Sequence, residues 1–355
     1  MKVTKTKNHP FFDDEKLLLL ISLARITFLN CAQKNILVKN LDSADTLALL
    51  SIEDIEKLTG RAHSKRIVWN GKENLRLAKA ALQRCKLLEI RILYYGDEDY
   101  PEILRQIFDP PFLLYCRGDV SLLVQPAVSI VGTRRLTPMG KSGAMSFAYD
   151  AVLDGRNVIS GLAAGIDGAA HQGALNAFFD EAEKKSGRVV AKTVAVLPGS
   201  IDNIVPRTHV KLASQILKTG GLLLSEYEPG MEIANWHFVA RNRIIAGLSC
   251  ATVVVEAPAG SGALITADFA LEYGRDVMFH SACFGELAKQ IAGKIKDQLT
   301  EQHARGEVSK YKIENTPEKF LEAGAPVIDN YKDFCKALAE APGKRVSVPV
   351  QQNLF

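Results

Sequence analysis

The feature that most constrains this chain is a series of six short apolar runs: AVSIVG (127–132), RNVISG (156–161), TVAVLP (193–198), GLLLSEY (221–227), ATVVVEA (251–257) and DVMFH (276–280). Each is nearly continuous rather than alternating, and each gives way, after a loop, to a helical or partly helical stretch. A strand that is apolar on both faces is covered on both faces, as in a parallel sheet with helices on either side. The pattern predicts a doubly wound, mainly parallel α/β sheet whose ligand sits at the carboxyl ends of the strands.

Upstream the period changes. From Asp13 to about Arg84 the pattern is helical, with LLLLISLARITFL (17–29), SADTLALL (43–50) and SIEDIEKLTG (51–60) in turn. Ser43 and Ser51 stand where N-caps belong, and Ser51 has Asp54 in register for a capping box. An all-helical N-terminal domain over residues 1–85 is expected; such domains bind DNA or protein, or are simply structural. Residues 90–125, with their aromatics and Pro-Pro pair, read as a connecting segment that packs onto the next domain.

Composition excludes several classes. The run Leu17 to Leu29 contains Arg25, follows Asp13-Asp14-Glu15 and is too short to span a bilayer, which argues for a protein without a membrane segment. The six cysteines lie far apart, with no CxxC pair and no metal-like spacing to histidine, so neither zinc nor a redox motif is expected, and reduced thiols fit the cytoplasm. The 44 lysines and arginines against 40 aspartates and glutamates leave +4, too weak an excess to argue for nucleic acid by itself.

Local clustering decides more. The loops at the carboxyl edge read GTRRLTP (132–138), SGLAAGIDG (160–168), PGSIDNIVPRT (198–208), SEYEPG (225–230) and EAPAGSGALITA (256–267). Thr137-Pro138 suits a helix start, Asp167 is a candidate cap for the helix carrying His171, and Ser261-Gly262 precede a start near Leu264. Helix N-termini with free N–H groups attract anions. A dinucleotide fingerprint needs G-x-G-x-x-G, whereas after Gly132 this chain has Arg134 and then Leu136 or Thr137, which argues against NAD or FAD and for no cofactor.

Arginine forks grip phosphate bidentately, so Arg134 and Arg135 are candidate phosphate ligands. The competing reading pairs them with Glu226 or Glu256; the second basic cluster, ARNRIIAG with Arg241 and Arg243, favours phosphate. Tyr227, Trp236 and Phe238 offer stacking surfaces or core. Ser160, Asp167 and His171 share one segment but lack a G-x-S-x-G elbow, and Glu226 and Glu256 are isolated carboxylates, so catalysis is not expected.

Seven blocks together resemble the DNA-processing protein A family (DprA/Smf): DEDYPEILRQIFDPPFLLYCRGD, VSIVGTRRLTPMG, VISGLAAGIDGAAHQGAL, TVAVLPGSIDNIVP, LLLSEYEPG, FVARNRIIAGLS and VVVEAPAGSGALITADFALEYGRDV, in the family's order. The resemblance implies a Rossmann-like domain, placed here at residues 86–340, that binds single-stranded DNA and is not an enzyme. It also implies a homodimer that helps load RecA recombinase during natural transformation or recombination. On the family's motifs, Gly132, Thr133 and Arg134, with Arg135 beside them, match the phosphate loop. Ser160, Gly161 and Gly165 belong to the SGLA-x-GID loop, and Arg241, Asn242 and Arg243 match RNR; Ser261 and Gly262 complete the expected DNA-binding set.

The departures are specific. Ala164 stands where the family usually has Arg or Lys, with Arg135 as the side chain that could compensate. A charged, helical-looking insertion occupies about 286–315, before KFLEAGAPVIDNYKDF resumes the resemblance. An alternative is a nucleotide-hydrolysing Rossmann enzyme of the P-G-G-x-G-T kind, but Pro258 to Ala263 read PAGSGA, without the paired glycines; another is a module for acidic protein tails. Residues 341–355 are expected to be an extended tail ending QQNLF, similar to the Q-x-x-L-F motif that docks on the sliding clamp, with Gln351, Leu354 and Phe355 as contacts unless they fold back or hang free.

Overall fold

The structure, a computed structural model, describes residues 13–61, 68–184 and 190–340. Gln351, Leu354 and Phe355, and with them the clamp-docking reading, lie outside the described residues.

Five helices come first: α1 (Asp14–Ala24), α2 (Cys31–Asn40), α3 (Ala44–Leu49), α4 (Ile52–Thr59) and α5 (Gly71–Leu87). Their starts follow local chemistry. Ser51 and Asp54 form the reciprocal capping box expected of them, and Ser43 accepts from the Thr46 N–H. Gly60 ends α4 in the left-handed conformation.

Next come β1 (Arg91–Tyr94), α6 (Glu102–Arg105) and β2 (Leu113–Gly118). The segment read as a connection is therefore an antiparallel strand pair, Arg91 opposite Cys116 and Tyr94 opposite Leu113, continued by β2 against β6 (Leu222–Ser225). Periodicity missed it because β1 has only four residues and the proline-rich loop between the strands masks the pairing.

The remaining units are β3 (Ala127–Val131), α7 (Pro138–Leu153), β4 (Asn157–Ser160), α8 (Ile166–Glu183), β5 (Thr193–Val196) and α9 (Val210–Lys218). After β6 follow α10 (His237–Ala240), α11 (Asn242–Gly247), β7 (Ala251–Val254), α12 (Gly262–Glu272) and β8 (Asp276–His280). The expected insertion is helical: α13 (Glu286–Ala304) and α14 (Lys310–Glu314) precede α15 (Pro317–Glu322), β9 (Val327–Ile328) and α16 (Tyr331–Glu340).

All six strands expected from the apolar runs are present, and they form one sheet in the order β1-β2-β6-β5-β4-β3-β7-β8-β9. From β6 to β9 every neighbouring pair is parallel. Winding proceeds outward from β3 through β4, β5 and β6, then returns to β7 on the other side of β3. The reversal lies between β3 and β7, where an open α/β sheet leaves a crevice at its carboxyl edge.

Burial follows the layers. Val128, Ile130 and Val253 of β3 and β7 pack with Ala144, Phe147 and Ala170 of α7 and α8 on one face. On the other side of the sheet, Val131 and Val254 pack with Ile244 of α11 and Leu264 of α12. The N-terminal helices do not have a private core: Leu19, Leu23 and Ala81 share one cluster with Leu113, Tyr115, Ala195 and Leu223 of the sheet.

Candidate nucleic-acid interface

The crevice is built by loops that hold one another. Thr137 caps α7 with Pro138 at its first position, as read from the sequence, and the Gly140 N–H donates to its hydroxyl at 3.1 Å. Glu256, at the end of the β7 segment, accepts from the Thr137 N–H at 3.0 Å and the Thr137 hydroxyl at 3.3 Å. Burial pushes the Glu256 carboxyl above its ordinary value, and these two donors pull it back. The Thr133 N–H donates to the Glu256 backbone oxygen at 2.6 Å, closing the 132–135 loop onto the β7 edge.

Close approach explains the glycines here. Gly165 has φ of 87°, and a Cβ on it would stand 2.2 Å from the Thr133 oxygen and 2.7 Å from the Arg134 Cα. At Gly132 a Cβ would meet Ile166 Cγ1 at 2.5 Å. The small residues thus bring the 132–135 and 160–165 loops into contact with each other.

Asp167 is corrected by the structure: it does not cap α8, whose N-cap is Gly165, but lies inside the first turn. Its buried carboxylate accepts from the Gly161 N–H at 3.1 Å, and the Ala163 and Gly132 N–H groups also bond to it. Burial raises this carboxyl, opposed by Arg241 and the backbone donors. The start of α12 also shifts: the helix begins at Gly262, with Ser261 as its cap, two residues before Leu264.

The four arginines divide into two pairs. Arg241 is buried and donates to the backbone oxygens of Gly161, at 2.6 Å, and of Val196. Burial pushes its guanidinium down to about 10, with Asp167 opposing. Arg243 is buried against Glu226, giving two parallel bonds of 2.8 and 2.6 Å, with Asp109 at 3.3 Å. Burial works against the Arg243 charge, but Glu226 outweighs it and holds the guanidinium above its ordinary value. Both side chains thus tie the rim loops to their surroundings, and Asn242 does likewise through the Gly262 oxygen at 3.1 Å.

Arg134 and Arg135 are exposed and, among the described residues, have no carboxylate partner; Glu226 and Glu256 are engaged with Arg243 and Thr137 instead. The Arg134 guanidinium lies 5.1 Å from the centre of the Phe238 ring. Beside it Tyr227 stacks on His237 at 4.0 Å, and the edge of His237 leads to Trp236, which is 63% exposed. Tyr227 belongs to the buried layer of this stack and Trp236 to its open end.

Ser160 is fully buried and spends its hydroxyl on the Ile130 oxygen at 2.6 Å. Thr133, Ser261 and Gly262 stay accessible at the crevice. No triad assembles: the His171 Nδ1 lies 2.7 Å from the Thr193 hydroxyl, away from Ser160, and Asp167 bonds to backbone.

One group escaped the reading of the sequence. His209 Nδ1 is 2.9 Å from the Leu162 oxygen, which seats the turn holding exposed Arg207 and Lys211 against the 160–165 loop, next to the exposed Ala164. The signal was present in PRTHVK (206–211), but nothing local in the chain says that these residues meet a loop some forty positions away.

Comparison with known proteins agrees with this fold. The family described as DNA recombination-mediator protein A matches residues 91–337, from the first residue of β1 into α16. Protein Smf of Borreliella burgdorferi is 33% identical over 268 residues, 75% of this chain and 79% of that protein. DNA processing protein DprA of Bacillus subtilis is 38% identical over 205 residues, 58% of this chain and 64%, just under two thirds, of that one. Among solved structures, DprA from Streptococcus pneumoniae is similar with a TM-score of 0.63 at 26% identity, over 89% of this chain and 95% of that chain. DprA from Helicobacter pylori, described for its single-stranded DNA binding mode, gives 0.52 at 27% identity over 71% and 96%. The sheet, its crevice and the loops that line it all fall inside the matched stretch, and the chain belongs to the DNA recombination-mediator protein A family.

Proposed function

We propose that this chain binds single-stranded DNA along the carboxyl edge of its sheet. Arg134 and Arg135 neutralise phosphates, Thr133, Ser261 and Gly262 offer hydroxyl and N–H donors, and Arg207 and Lys211 extend the positive rim past Ala164. Trp236 and Phe238 offer faces on which bases stack. Arg241, Asn242 and Arg243 keep these groups in place. The observation that carries the reading is the pair of exposed arginines without carboxylate partners among the described residues, one over an aromatic ring, at the topological switch of the sheet.

The finer reading follows the family: a homodimer that protects processed or incoming single strands in the cytoplasm and helps load RecA recombinase on them, in recombination or natural transformation. It involves no catalytic step. A nucleotide-hydrolysing alternative has to use a rim carboxylate as base, and Glu226 and Glu256 are bonded to Arg243 and Thr137.

Fluorescence anisotropy with single- and double-stranded oligonucleotides across salt concentration tests the binding. Single strands are expected to win, and log affinity to fall with log salt by about 0.7 per phosphate contacted. A flat salt response removes the proposal. Light scattering at micromolar concentration is expected to give a dimer, and a monomer removes that part alone.

A further inference from the structure

The helical insertion is built onto the crevice. Ala288, Ile291 and Ala292 of α13 share a narrow cleft with Thr133 and Arg135 of the phosphate loop. Further along, Leu299 reaches Gly260 of the β7–α12 loop, where a Cβ would be 3.2 Å from its Cδ1. The Gly260 N–H donates to the Asn315 oxygen at 3.1 Å, and the Asp268 carboxylate of α12 accepts from Asn315 Nδ2 at 2.7 Å and from the Tyr311 hydroxyl. One face of α13 thus runs beside both loops proposed to contact phosphate.

The charges of α13 are sorted by face. At about 3.6 residues per turn, Ala288, Ala292, Ile295 and Leu299 form the packed side, while Glu286, Asp297 and Glu301 point away from it. Lys289 and Lys296 follow one another along a single flank, seven positions apart in sequence and about 10 Å apart along the axis. Gly285, on that same flank, meets the Met139 sulfur in the first turn of α7, where a Cβ would stand 3.1 Å away. Lys289 and Lys296 are exposed with no carboxylate partner among the described residues, whereas Arg305 and Lys310 of the same insertion pair with Glu307 and Glu314. Half-exposed Met139 gives this flank an apolar surface at its amino end.

We infer that the Lys289–Lys296 flank of α13 forms a second phosphate-contacting stretch that carries a single strand beyond the crevice, past Arg135. The inference rests on the reading of the crevice as a single-strand site. Its consequence is a longer footprint on DNA than the crevice alone can hold.

The experiment measures affinity for a ladder of oligothymidylates of increasing length, at several salt concentrations, for the full chain and for Lys289→Gln/Lys296→Gln. The full chain is expected to gain affinity with length after the double variant has reached its plateau. For long strands the variant's log–log salt slope is expected to be shallower by about 1.4, two contacts at about 0.7 each. For the shortest strands that bind, the two proteins are expected to agree. Lys294→Gln, on the opposite flank of α13, serves as the charge control and is expected to behave as the unmodified chain. Equal plateaus and slopes for the full chain and the double variant overturn the inference, as does an equal loss in the Lys294 control. If Arg134→Ala abolishes binding while the double variant changes nothing, only the α13 track fails; if the full chain binds no single strand, the crevice reading fails with it.

Discussion

At the scale of single residues, arginine takes opposite parts here according to what faces it. Arg243 meets Glu226 in two parallel bonds and is out of water; Arg134 lies over an aromatic ring and is in water. Arg134→Ala is therefore expected to weaken single-strand binding about tenfold, equivalent to about 1.4 kcal/mol, with an unchanged melting temperature. Arg243→Ala is expected to lower stability on the order of 3 kcal/mol, because it strands Glu226 in a largely buried site. Paired titration and thermal melting separate the two, and normal binding by Arg134→Ala would return that side chain to a structural role. Ala164→Lys, which adds a cation to an exposed rim position, is expected to tighten binding in the same assay. The sequence named all four arginines but could not sort them, since the partner of each comes from another loop. Even the suspected carboxylate was right in kind and wrong in assignment: Glu226 pairs with Arg243 rather than with Arg134 or Arg135.

At the scale of elements, the loops were easier to find than to interpret. Continuous apolar runs identify β3 to β8 because burial on both faces leaves no other composition open to them. Thr137, Ser51 and Ser43 likewise announce their helices, since a cap is decided by neighbours three residues away. Asp167 misled because its partners, the N–H groups of Gly161, Ala163 and Gly132, belong to a turn that exists only after the loops have met. The strands β1 and β2 were missed for a similar reason, being recognisable only as a pair. The contact of the loops also yields a test. Gly165→Ala places a Cβ against the Thr133 oxygen at a φ that side chains avoid, so it should both lower the melting temperature and reduce single-strand affinity by displacing Arg134. A variant that melts earlier yet binds normally would uncouple the two loops.

For the whole molecule, stability and acidity are linked through a histidine with no part in the crevice. The Thr193 hydroxyl donates to the Val158 oxygen at 2.8 Å, so it accepts from His171 Nδ1–H, and the ring's Nε2 is buried without a partner among the described residues. Burial accordingly pushes the His171 ring down to about 3. Its folded-state value lies below the unfolded one, so its contribution is complete above about pH 6.5 and is lost as the pH falls towards 3. About 2 kcal/mol should be gone by pH 5. Urea unfolding at pH 7 and 5 should show this loss in the parent and a smaller one in His171→Asn; equal losses would place the proton elsewhere. The core shared between the N-terminal helices and the sheet bears on how such a chain is made. Leu19, Leu23 and Ala81 find their cover in Ala195 and Leu223, more than a hundred positions later. Synthesis from the amino end therefore leaves the first helices with an open apolar face until β6 has left the ribosome. These helices are made well before the strands that shelter them, and for that interval they are a natural client for a chaperone.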